Sequence, residues 1–120
     1  SMERLSFTVF KTAFPNWDNT ARRFNNGLIF NHSTPEIYKA WLKNNLLYTI
    51  KNNSKDEQFV FINAWNEWGE GAHLEPDRKF GYAYLQATAD ALASINFLTA
   101  LELDYALDYN AIEIFSLFVL

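Results

Sequence analysis

The run Phe59-Val60-Phe61-Ile62-Asn63-Ala64 limits how this chain can fold more than any other stretch does. It is short, almost wholly apolar and bounded by turn formers. Asn52-Asn53-Ser54-Lys55-Asp56 precedes it, and a polar, glycine-bearing segment follows. Such a run reads as a strand buried on both faces, the kind found in parallel sheets covered by helices. The flanks fit that reading. Residues 5–14 (Leu-Ser-Phe-Thr-Val-Phe-Lys-Thr-Ala-Phe) are aromatic and β-branched, end at Pro15, and read as an earlier strand. Ser33-Thr34-Pro35-Glu36 is a helix start, with a hydroxyl to cap, a proline for the first turn and an acid to complement the dipole. Helical spacing then continues to about Asn52. Downstream, Asp77 is placed to cap a helix from about Phe80 to Ile95, with Tyr84, Leu85, Ala91, Leu92 and Ile95 turned inward.

The order is strand, long loop, helix, strand, loop, helix, which describes two successive units of a parallel α/β sheet. Two such strands leave open edges. The chain is therefore expected to belong to something larger or to pair with another copy through those edges. Residues 97–120 are apolar with interspersed acids and are expected to form one or two further helices. Phe115, Leu117, Phe118, Val119 and Leu120 make that tail a candidate for self-association.

The 120 residues suit one domain, and 49% of them are hydrophobic, enough for a real core. The net charge of −4 and scattered basic residues exclude a nucleic-acid footprint. Without cysteine there is no thiolate nucleophile, disulfide or Cys-based zinc site, which fits a reducing compartment. No apolar run is long enough to span a bilayer. The polar start Ser-Met-Glu-Arg carries no secretory signal and reads as a tag remnant before a start methionine.

Function is concentrated in residues 64–77, Ala-Trp-Asn-Glu-Trp-Gly-Glu-Gly-Ala-His-Leu-Glu-Pro-Asp. A loop after a buried strand is where α/β folds place their sites. Glu67 and Glu70, three apart in a bulging loop or a first helical turn, can turn both carboxyls into one cavity. The separation would be roughly 5–9 Å, the span that glycosidic chemistry uses. Trp65 and Trp68 would wall that cavity, stack on a sugar face and lower the local dielectric. Asn66 can bond a sugar hydroxyl or orient Glu67; His73 and Glu75 can do the same or pair with each other. The other reading makes the tryptophans core anchors and the glutamates solvated. His73, Glu70, Glu75 and Asp77 could in principle hold a metal, but their spacing matches no metal motif, and no metal or other cofactor is expected. The first loop adds Trp17, Asp18, Asn19, Arg22 and Arg23, which share the rim with this motif if the two strands are parallel. The arginines there can hold a phosphate or carboxylate, or simply be solvated.

Over Phe-Ile-Asn-Ala-Trp-Asn-Glu-Trp-Gly-Glu-Gly-Ala-His-Leu-Glu-Pro-Asp the chain resembles the WbsX-type glycosyltransferases of bacterial polysaccharide synthesis. Their domain is similar to the family 99 glycoside hydrolases, the endo-α-mannosidases. Phe-Pro-Asn-Trp-Asp-Asn-Thr-Ala-Arg-Arg, Ser-Thr-Pro-Glu-Ile-Tyr-Lys-Ala-Trp-Leu and the stretch Phe80 to Leu85 extend the resemblance to roughly residues 5–95. It implies a (β/α)8 TIM-like barrel of about 250 residues. Residues 1–96 would form its last β/α units, a partial barrel followed by the helical tail 97–120. By the same resemblance, Glu70 is the acid/base at the glycosidic oxygen. Glu67 promotes attack of a neighbouring sugar hydroxyl on the anomeric carbon. Trp17 and Asp18 line the mouth.

The implied role is glycosidic-bond chemistry in lipopolysaccharide or other cell-surface polysaccharide synthesis, on a carbohydrate partner such as a nucleotide sugar or a lipid-linked glycan. That places the protein in the cytoplasm or peripheral to the inner membrane. This segment by itself is expected to show little or no activity. The reading from a different class is a non-catalytic sugar-binding or assembly module that uses Trp17, Trp65 and Trp68 as platforms.

Overall fold

The computed structural model describes residues 7–106 and 116–119, with side chains over 7–96. Strand β1 (Lys11–Ala13) leads through a short helix α1 (Thr20–Arg23) to helix α2 (Pro35–Asn52) and then strand β2 (Phe59–Ile62). Two short strands, β3 (Asn66–Glu67) and β4 (Ala72–His73), precede helix α3 (Ala83–Ala106) and strand β5 (Ser116–Val119). The main sheet has the order β1-β2-β5 and is parallel throughout, with Ala13 opposite Ile62 and Ile62 opposite Val119. The described residues are thus mixed helix and strand around a small parallel sheet.

Helix α2 begins and ends where its sequence dictates. The Thr34 hydroxyl accepts from Ile37 N–H at 3.3 Å, Pro35 fills the first position, where a missing N–H costs nothing, and the last turn closes on Asn53 N–H to Thr49 C=O. Its buried side chains Tyr38, Leu42 and Leu46 recur at four-residue spacing. They join Ala13, Val60, Ile62 and the α3 residues Tyr84, Ala87, Ala91 and Ile95 in one core cluster. Between the helices a buried polar chain is resolved by elimination. Thr88 Oγ1 spends its proton on Tyr84 C=O at 2.9 Å, so the Tyr38 hydroxyl, 3.0 Å away, is the donor to Thr88. Asn45 Nδ2 ties α2 to the sheet by donating to Thr12 C=O at 3.1 Å.

Four expectations change. Strand β1 is three residues long, the length over which it pairs with β2; residues 1–6 lie outside the described set. Strand β2 alternates rather than being buried on both faces. Val60 and Ile62 are fully enclosed while Phe59 and Phe61 are half-buried, with the Phe10 ring 6.0 Å from Phe59 and 6.3 Å from Phe61. Asp77 does not cap α3, which starts at Ala83; it closes the turn before that helix instead. The expected helical tail is helix only to Ala106, and Ser116–Val119 adds a third strand beside β2. Phe118 and Val119 are types that favour strands, and the segment gains a backbone ladder along β2. The side chains invoked for self-association lie outside those described.

Two substitutions on α2 separate packing from polarity. Leu46→Ala removes a fully buried side chain and should cost about 2–5 kcal/mol in denaturant unfolding. Thr49 is equally enclosed, yet its hydroxyl has no partner among the described residues. Thr49→Val should therefore leave stability unchanged or raise it by up to about 1 kcal/mol.

Candidate functional site

The parallel pairing of β1 and β2 delivers both following loops to one rim. The junction is made by backbone: Asn63 N–H donates to Ala13 C=O at 2.9 Å, and Asp18 N–H to Glu70 C=O at 2.8 Å. The first loop, in turn, folds back on itself. Phe30 N–H reaches Trp17 C=O at 2.9 Å, and Asn19 Oδ1 accepts Leu28 N–H at 2.7 Å. Asp18 Oδ1 accepts both the Thr20 hydroxyl at 2.6 Å and Thr20 N–H at 3.0 Å, which starts α1. The hydroxyl first and then the amide hold the Asp18 carboxyl below its ordinary value.

The motif itself is a small antiparallel hairpin, neither an open bulge nor a helical start. Asn66 pairs with His73 and Glu67 with Ala72, and Trp68–Glu70 form a single tight turn between them. Gly71 ends that turn at φ 64°, a left-handed conformation that costs any residue with a Cβ roughly 1–2 kcal/mol. Leu74 N–H anchors the far end to Trp65 C=O at 2.9 Å. A two-stranded hairpin makes a flat exit from β2, and it leaves Trp65 and Trp68 about half exposed.

Five interactions fix the polar side chains. Arg22 Nη2 lies 2.6 Å from Glu67 Oε1, and its Nη1 lies 3.4 Å from Glu70 Oε1. The Trp68 indole N–H donates to Glu75 Oε2 at 2.6 Å. The Trp68 ring stacks on His73 at 3.7 Å and 15°, and His73 Nε2 meets Asp77 Oδ2 at 3.1 Å. Glu67 and Glu70 thus meet on one guanidinium. His73 and Glu75 do not pair with each other, because each is engaged in holding Trp68 or its neighbour. Arg22 faces the protein's own carboxylates. The Asn66 side chain stands in solvent. Trp17 packs 5.8 Å from Phe14 at the base of the first loop, with its buried Nε1 unpartnered among the described residues. No group of three or more His, Asp or Glu among the described residues is arranged to hold a metal ion.

The Arg22 and Asp77 contacts were not foreseen. A loop arginine one strand away from two glutamates was the available signal for the first. The i,i+4 spacing of His73 and Asp77 was the signal for the second.

Paired carboxylates beside exposed indoles are groups that carbohydrate chemistry can use. The chain belongs to the family described as Glycosyltransferase WbsX, which it matches over residues 1–88. It is 45% identical over 86 residues to the uncharacterised protein WxcX of Xanthomonas campestris pv. campestris, in strain B100 and equally in strain ATCC 33913. That alignment covers 72% of this chain and 12% of the relative, so the chain spans a small part of the curated relatives it matches. No solved structure matches it. No helix among the described residues is long and apolar enough to cross a membrane.

Asp77 gives the hairpin a pH dependence. Its bond from Phe80 N–H at 2.6 Å, aided by those from His73 and Lys79 and opposed by burial, holds its carboxyl below the ordinary aspartate value. A folded value below the unfolded one means stability that is complete above about pH 4 and lost as the pH falls through the folded value. Asp77→Asn should therefore lower the melting temperature at neutral pH. The gap to wild type should narrow below about pH 4, as thermal unfolding across that range will show.

Proposed function

We propose that this segment supplies the carboxylate pair of a larger enzyme that breaks and remakes glycosidic bonds in bacterial cell-surface polysaccharide synthesis. The observation that carries this reading is the convergence of Glu67 and Glu70 on one guanidinium beside two half-exposed indoles. Glu70 acts as the acid, giving its proton to the departing glycosidic oxygen. Glu67 takes the proton of a neighbouring sugar hydroxyl, whose oxygen then attacks the anomeric carbon. Trp68 carries the sugar face. Glu75 and the His73 stack leave its ring little freedom, so less side-chain entropy is lost on binding.

The larger fold in this reading is a TIM-like barrel of which this chain is one wedge. Sequential strand order and helices that share a single core with the sheet support it, since a barrel wall repeats that unit. The partner is a carbohydrate, with a nucleotide sugar or a lipid-linked glycan as donor. The wedge alone lacks most of a sugar-binding cavity, so activity belongs to the longer polypeptide.

In a full-length family member carrying this segment, Glu70→Gln should lower the release of nitrophenolate from 4-nitrophenyl hexosides by about 10²- to 10⁴-fold. Glu67→Gln should do likewise. Hydrolysis of the hexoside and transfer from it to an acceptor both break that bond, so the probe reads either reaction when the hexoside serves as donor. Unchanged turnover in both variants, together with loss of glycan-array binding in Trp68→Ala, would replace the enzyme reading with that of a binding module.

A further inference from the structure

Arg22 reaches from the first loop across Gly69 to the two glutamates. A methyl group built on Gly69 would lie 2.5 Å from Arg22 Nη2 and 2.7 Å from its Nε, so a side chain at 69 and the guanidinium cannot occupy that space together. The crossing is anchored at its origin. Helix α1 is started by Asp18, and Asp18 N–H is bonded to Glu70 C=O.

Two ionised carboxylates on one hairpin repel each other, and they splay or take up a proton unless a cation lies between them. A guanidinium is a rigid planar fork, so carboxylates on two of its nitrogens are held at one separation; an ammonium is a single point and sets no such distance. The side chain of Arg22 is about half exposed, and a solvated ion pair contributes little to stability. Geometry is what the arrangement supplies.

We infer that Arg22 is a positioning residue that holds Glu67 and Glu70 as one working pair, and that Gly69 is the opening that lets it reach them. This role rests on the proposed reading of the two glutamates. Arg22 touches no reacting atom in it and acts only through the carboxylates.

The clamp can be tested apart from catalysis. In the chain labelled with 15N-arginine, a guanidinium held by two carboxylates rotates slowly and gives resolved Nη signals. The set that disappears in Arg22→Lys belongs to Arg22. Gly69→Ala and Glu67→Gln should each collapse that set to the averaged signal of free arginine; its persistence in Gly69→Ala, or its absence in wild type, overturns the clamp.

The catalytic consequence is read in the full-length protein with the 4-nitrophenyl hexosides. Arg22→Gln should lower kcat by about 10- to 100-fold with KM unchanged, the scale expected for misplaced catalytic groups. Arg22→Lys should recover part of that loss. Gly69→Ala should match Arg22→Gln, and the double variant should be no worse than either single one, because the three atoms nearest the added methyl all belong to Arg22. Full kcat in Arg22→Gln beside a large loss in Glu70→Gln would overturn the positioning role and leave the function standing. Unchanged kcat in the Glu67 and Glu70 variants would remove the function, and the positioning role with it.

Discussion

The parallel pairing of β1 with β2 is the constraint on which the rest depends. With Ala13 opposite Ile62, both chains leave the sheet at the same end and level. One loop can then bond the other through Asp18 and Glu70, and Arg22 falls within reach of the motif hairpin. The side-chain period of a strand is two, so a slip of one residue would turn Val60 and Ile62 out of the core and move the loops by about 3.3 Å relative to each other. The core that fixes the register is therefore also what gauges the separation at the rim.

Much of this was legible where local chemistry decides. The Thr34-Pro35-Glu36 start and the stop near Asn52 have fixed meanings in any context, and α2 obeys them. The strand at Phe59 declared itself by apolar run and flanking turns. Glu67 and Glu70, which meet at one guanidinium, belong to the cluster that the density of polar and aromatic residues after that strand singles out.

What escaped the sequence depends on tertiary contact. Whether Trp68-Gly69-Glu70 begins a helix or turns a hairpin is settled by the pairing of Asn66 with His73, which no local propensity announces. Strand β5 exists because β2 offers an unpaired side, and the same apolar segment reads equally well as helix. The partner of Arg22 was ambiguous for a related reason. An arginine on a rim serves a ligand's anion or the protein's own, and the deciding fact, the open space over Gly69, lies on the other loop.

Asn45 has a consequence at the opposite side of β1. Ala13 C=O faces β2, since it accepts from Asn63; by alternation Thr12 C=O faces outward, and it is this carbonyl that Asn45 binds. In a strand of three residues, the middle one offers much of what an incoming strand could grip. Helix α2 has thus taken hold of the acceptor that would otherwise invite chance strand addition. Any neighbouring strand from a longer polypeptide must share that carbonyl or dislodge an amide from the helix, which makes growth of the sheet on this flank selective.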